Sequence, residues 1–191
     1  MIEDEGGEEL LSRALAGEAD AFRALVVRHQ GAVYSLAWRM LCDRQRAEDL
    51  AQEVFLQLHR HLASIESLAH LSRWLRRVTM HRAIDRLRRE PQRGTASLEE
   101  AAELAAEEEQ SDPLLLRRLQ MLIGELPPAA RAVLLLRYQE DLDPMEIGRT
   151  LKMSVNTVKS HLKRSLAMLR EHLQDSPEQA CAVRSRPDPA T

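Results

Sequence analysis

From Phe22 onward the apolar residues of this chain recur at steps of three and four: Phe22, Leu25, Val26, Val33, Leu36, Ala37 and Met40, with His29 on the same side. That period lines one face of an α-helix, and it lacks the alternation a half-buried strand needs. A second stretch repeats it with Leu50, Val54, Phe55, Leu58 and Leu62, and a third with Leu71, Trp74, Leu75 and Val78. Seven Gly and six Phe, Trp and Tyr in 191 residues supply few of the turns and aromatic strands of a sandwich or a doubly wound sheet. The expected fold is therefore all-α, with length for one ordinary domain or two small ones.

Local signals divide the chain. Asp20 is placed to cap the first of these helices, Asp43 the second, and the third ends near Arg89, because a residue before proline, here Glu90 before Pro91, disfavours α geometry. The expected organisation is an acidic N-terminal segment (1–19), a helical domain (20–92), an acidic linker (93–113), a second helical domain (114–174) and a disordered tail (175–191). No apolar run approaches the ~20 residues a bilayer requires. The N-terminus MIEDEGGEEL is acidic where a secretory signal is basic and then apolar, so a cytoplasmic protein without membrane insertion is expected. Cys42 and Cys181 have no neighbouring partner, which favours free thiols over a disulfide framework or a zinc knuckle.

The net charge of −3 averages over blocks of opposite sign. Residues 73–93 hold eight Arg against Asp85 and Glu90, residues 94–112 hold seven acids and no Lys or Arg, and residues 149–170 hold six Lys or Arg and no acid. A solvated helix face accounts for one basic block; two on either side of an acidic spacer favour two polyanion-binding surfaces.

The run DPMEIGRTLKMSVNTVKSHLKRSLAMLREHL at 143–173 is the most diagnostic. Asp143, Pro144 and Glu146 form a capping-box signature for a short helix, and Lys152-Met153 make a turn. Ser154 then caps a longer helix with Val155, Val158, Leu162, Leu166, Leu169 and Leu173 on one side. The other side presents Asn156, Thr157, Lys159, Ser160, Lys163 and Arg164. A short helix, a tight turn and a helix with a polar, basic start is the geometry that enters a DNA major groove, although a basic helical hairpin without DNA binding shares the pattern.

Over nearly its whole length the sequence resembles the bacterial sigma factors of the extracytoplasmic-function type. AEDLAQEVFLQLHRHL resembles the region 2 segment that docks on core RNA polymerase, and WLRRVTMHRAIDRLRRE the helix that melts and reads the minus-10 element. LPPAARAVLLLRYQEDLDPMEIGRTLKMSVNTVKSHLKRSLAMLRE resembles region 4, whose helix-turn-helix reads minus-35 duplex. One departure is His81, which stands where the family usually has Asn.

The resemblance implies a protein that binds core RNA polymerase and promoter DNA, restrained by an anti-sigma protein. It implies polymerase contacts at Asp49, Gln52 and Glu53, and minus-10 contacts at Arg76, Arg77, His81, Arg82, Arg86, Arg88 and Arg89, with residues 63–70 forming a pocket for an extruded base. Minus-35 contacts fall to Ser154, Asn156, Thr157, Lys159, Ser160, Lys163 and Arg164. Trp74 fits either a base-stacking platform or, by its spacing with Leu71 and Val78, the core. His81 shares that side of the helix and takes a family position near DNA. The acidic linker, with Glu99, Glu100, Glu103, Glu107, Glu108 and Glu109, fits either RNA mimicry in a polymerase channel or a solubilising tether.

Two other functions compete: a helix-turn-helix regulator that never joins polymerase, which leaves the first half without a role, and a helical adaptor for acidic proteins. Enzyme readings find little support. His59 and His61 point to different sides of a helix, and no phosphate-cradling glycine loop, nucleophile elbow or Cys/His cluster is present, so neither a metal nor a cofactor is expected.

Overall fold

The computed structural model describes residues 2–89 and 113–174, and among them every regular element is helical. The first half comprises α1 (Ile2–Leu15), α2 (Ala19–Leu41), α3 (Arg44–His61), a 3-10 turn at Leu62–Ser64, and α4 (Leu68–Arg89). The second comprises α5 (Pro113–Glu125), α6 (Pro128–Tyr138), α7 (Pro144–Leu151) and α8 (Val155–Gln174). The glutamates of the expected linker, the expected tail and Cys181 lie outside the described residues.

Caps set most boundaries. Asp43 accepts the Arg46 N–H at 2.9 Å and starts α3. Asp20 does not cap α2: Glu18 precedes the helix and Asp20 lies in its first turn, where a carboxylate still meets the positive end of the helix dipole. Helix α4 starts before Leu71, at Leu68. Ser67 Oγ accepts the His70 N–H at 3.1 Å, and Glu8 accepts the Leu68 N–H at 2.9 Å from 60 residues away.

The N-terminal segment, legible in sequence only as acidic, thus supplies a helix that caps α4 and buries Leu11 and Ala14. A Cβ on Gly7 would lie 2.3 Å from Leu68 Cδ1, so this close approach of α1 to α4 uses the missing side chain.

In the second half the capping box is present. The Asp143 carboxylate accepts the N–H groups of Met145 and Glu146 at 2.7 and 2.8 Å, and Glu146 accepts that of Asp143 at 2.9 Å. The turn beyond α7 places Lys152 in the left-handed region at φ 55°. It brings the Met153 carbonyl so close that a Cβ on Gly148 would sit 2.8 Å from that oxygen. Ser154 Oγ then accepts the Thr157 N–H at 3.1 Å and opens α8.

One apolar cluster runs without interruption from Leu25, Met40, Leu50 and Leu71 in the first half to Val133, Leu136, Ile147 and Val158 in the second. A smaller one joins Leu122, Leu126, Leu134 and Leu169. Trp74 belongs to the core, 6% exposed with its ring centroid 6.2 Å from that of His61, as its spacing indicates. Val155 departs from the expected apolar stripe. It is exposed at the first position of α8, while Val158 and Leu169 are buried. The two halves pack face to face, α6 against α2 and α4, and α7 against α4.

Candidate polymerase and nucleic-acid interfaces

Helix α3 turns Leu50, Val54 and Leu58 inward, which leaves Asp49 and Gln52 exposed as the spacing predicts. Asp49 accepts a hydrogen bond from Gln45 Nε2 at 3.3 Å. Glu53, expected on the same open surface, is instead engaged. Its carboxylate accepts Arg82 Nη1 at 2.7 Å and Arg86 Nη2 at 2.6 Å, while Arg82 Nε also reaches Gln57 Oε1 at 2.9 Å. A carboxylate expected at the polymerase interface and two arginines expected at DNA, on separate helices, therefore neutralise one another in the free chain.

Sequence reading passed over Leu56. It is 61% exposed, one helical turn beyond Gln52, and gives the polar face an apolar centre. The available signal was its position off the Leu50, Val54, Leu58 stripe.

On α4, Arg77, Arg88 and Arg89 are exposed, whereas Arg76 and His81 are half-buried against the second half. Arg76 Nε donates to Glu140 Oε2 at 2.7 Å, and His81 Nε2 lies 2.9 Å from the Thr150 carbonyl oxygen. The basic face of α4 is therefore not uniformly open: these two positions, Arg82 and Arg86 are each engaged within the chain. Each has a partner distant in sequence, on α3 for Arg82 and Arg86, on α7 for His81 and in the turn after α6 for Arg76.

Deeper in the seam, Arg131 of α6 is 3% exposed. It donates to the Met40 carbonyl at 2.6 Å and to the Gly124 carbonyl, so one guanidinium serves carbonyls at the C-terminal ends of α2 and α5. Burial lowers its pKa from the ordinary arginine value, opposed by the nearby Cys42. Its place inside an otherwise apolar run, with residues 130–136 all buried, was the sequence signal.

The face of α8 is different. Ser154, Asn156, Thr157, Lys159, Ser160, Lys163 and Arg164 are all exposed, and the capped turn at Ser154 holds the first four at the helix start. The Ser154 and Thr157 hydroxyls lie 2.8 Å apart, tying that first turn together. Among the described residues no group of His, Cys, Asp and Glu is placed to hold a metal, and no helix is long and apolar enough to cross a membrane.

Comparison with known proteins accounts for both halves in order. Residues 25–93 match the model of Sigma-70 region 2, and residues 116–169 that of Sigma-70 region 4. Over 172 residues the chain is 31% identical to the ECF RNA polymerase sigma factor SigW of Bacillus subtilis (strain 168), spanning 83% of this chain and 92% of that protein. The chain belongs to the ECF sigma factors. It is 27% identical over 187 residues to the RNA polymerase sigma-H factor of Pseudomonas aeruginosa, spanning 91% of this chain and 97% of that one.

Its fold is that of CnrH, solved in complex with the cytosolic domain of CnrY, at a TM-score of 0.64 and 24% identity over 88% of this chain and 97% of the other. It is also that of RpoE from Bartonella quintana, solved with the anti-sigma factor NepR, at 0.61 and 16% over 81% and 98%. As an alternative sigma factor the protein binds core RNA polymerase and directs promoter-specific initiation. Neither a lone helix-turn-helix regulator nor an adaptor describes it, since region 2 is matched as fully as region 4.

Proposed function

We propose the following division of labour within the sigma factor. The outer face of α3, with Asp49, Gln52 and Glu53 around Leu56, docks on a basic surface of core polymerase: charge sets orientation and encounter rate, and the exposed leucine supplies an apolar anchor. Arg76, Arg77, Arg82, Arg86, Arg88 and Arg89 of α4 neutralise phosphates at minus-10, with His81 beside them. Residues 63–70 hold an extruded base there. Strand opening is then a binding problem, in which pocket and phosphate contacts offset the few kcal/mol of lost stacking and pairing. Residues 114–174 read minus-35 duplex through the first turns of α8.

The protein itself catalyses nothing; it supplies specificity to the polymerase active site, works in the cytoplasm, and takes an anti-sigma protein as its inhibitor. Region boundaries near 20–92 and 114–174 are part of the same proposal.

The carrying observation is the α8 face, seven polar or basic side chains exposed together at the start of a helix set by a capped turn. Residues facing base edges specify, and residues facing phosphates position. In holoenzyme, substituting Asn156 or Thr157 is expected to change minus-35 sequence preference by about 1–3 kcal/mol per lost base contact, while Lys163→Ala weakens all sequences alike and lowers the salt slope by about one. A preference unmoved by the first pair and altered by Lys163→Ala rejects the assignment.

A further inference from the structure

We propose that His70, in the first turn of α4, is a positioning residue for strand opening: its ring Nδ1 holds the Glu66 amide and so fixes residues 63–67 as one wall of the base pocket. The role rests on the assignment of residues 63–70 to an extruded base.

The segment joins α3 to α4 with the sequence Ala-Ser-Ile-Glu-Ser, which has neither glycine nor proline to restrict it, so its shape is set by the bonds at its two ends. At the entry the Ile65 N–H donates to the Leu62 carbonyl at 2.9 Å, and Ser64 Oγ donates to the His61 carbonyl at 2.7 Å. Ile65 is buried and pins the middle, which leaves Ala63, Ser64 and Glu66 exposed around it.

At the exit, Ser67 caps α4 by accepting the His70 N–H at 3.1 Å, and Glu8 accepts the Leu68 N–H. Both of those bonds serve the helix. Glu66 lies outside it, and its N–H donates to His70 Nδ1 at 3.3 Å. Histidine thus takes the third helical position of a capping box and reaches back one residue beyond the cap. Because the amide is the donor, Nδ1 of the neutral ring carries no hydrogen.

This bond ties the exposed wall to the helix whose arginines meet the phosphates, so wall and phosphate face keep one relative placement. A pocket already in its bound shape spends no binding energy on ordering itself, and that energy is needed to hold a base out of the stack. Loss of one neutral hydrogen bond leaves the wall in place about five-fold less often, and affinity falls by the same factor.

The test uses holoenzyme and a forked promoter whose minus-10 nontemplate strand is already single, so that base pairing does not enter. Affinity is measured for wild type, for His70→Ala, which removes the acceptor, and for His70→Asn, whose side-chain oxygen stands near the place of Nδ1. Each is run on the intact fork and on forks with a single abasic nucleotide at successive minus-10 positions. His70→Ala is expected to bind the intact fork about five-fold more weakly and to match wild type within about two-fold on the fork that lacks the extruded base, where there is nothing for the wall to hold. His70→Asn is expected to restore binding.

A His70→Ala variant that binds the intact fork as wild type does, one whose loss is the same on every abasic fork, or a His70→Asn variant as defective as His70→Ala overturns the positioning role and leaves the pocket standing. Wild-type affinity insensitive to every abasic nucleotide rejects the pocket itself, and the role of His70 with it.

Discussion

Glu53 is the position where surface exposure and engagement make different predictions. If it were a free acid on the α3 face, removing its charge would affect polymerase docking alone. In the structure it braces α3 to α4 through Arg82 and Arg86 at 2.7 and 2.6 Å, with its own side chain 45% exposed and the arginines 39% and 23%. Pairs this exposed contribute a few tenths to ~1 kcal/mol each, and Gln retains an acceptor oxygen, so Glu53→Gln is expected to cost about 1 kcal/mol. For a chain of this size that is a fall in Tm of roughly 2–4 °C. The loss is expected to shrink toward 1 M salt, where the screening length is ~3 Å.

Asp49→Asn, which removes an exposed acid bonded to Gln45 at 3.3 Å, is expected to leave Tm unchanged. Both variants are expected to bind core polymerase more weakly, Glu53→Gln by less than its charge alone suggests, because the wild-type carboxylate must first leave its two arginines. Thermal unfolding at 0.1 and 1 M salt, run beside copurification with polymerase, separates the effects. A Glu53→Gln variant as stable as wild type at low salt refutes the brace, and one that is destabilised yet binds fully refutes the docking role.

Gly148→Ala forces a Cβ to 2.8 Å from a backbone oxygen that cannot move without distorting the turn, and is expected to lower urea-unfolding stability by about 1–3 kcal/mol. Lys152→Gly relieves a left-handed residue at φ 55° in that turn and is expected to raise stability by about 0.5–1 kcal/mol in the same assay. Glu8→Ala removes the cap that α1 lends to α4, and is expected to cost about 1 kcal/mol and to speed hydrogen exchange at the Leu68 amide.

His29 has its Nε2 buried without a hydrogen bond, and burial first, then Arg28, lowers its pKa from the usual 6.5. The unfolded chain therefore takes up a proton that the fold refuses, so stability is present above about pH 6.5 and is lost as pH falls below it. Urea midpoints across pH 5–8 are expected to show that loss, and His29→Gln to flatten it.

The helices from α2 onward, their order and most of their starts were determined by sequence alone, because those signals are local. A three-four apolar period, Asp43 three residues before the Arg46 amide, and Asp143 reciprocally bonded with Glu146 each act within one turn of chain. The α8 face was legible for the same reason: a helix that spends one side on Val158 and Leu169 must present the other. Tertiary structure alone decided which charges are available. Glu53 finds Arg82 and Arg86 across 29 and 33 residues, Arg76 finds Glu140 across 64, His81 finds Thr150 across 69, and Arg131 finds Met40 across 91. A charged residue carries the same local signature whether it faces solvent or a partner on another helix. Its availability is set by how the apolar faces dock, and that docking is a property of all the helices together.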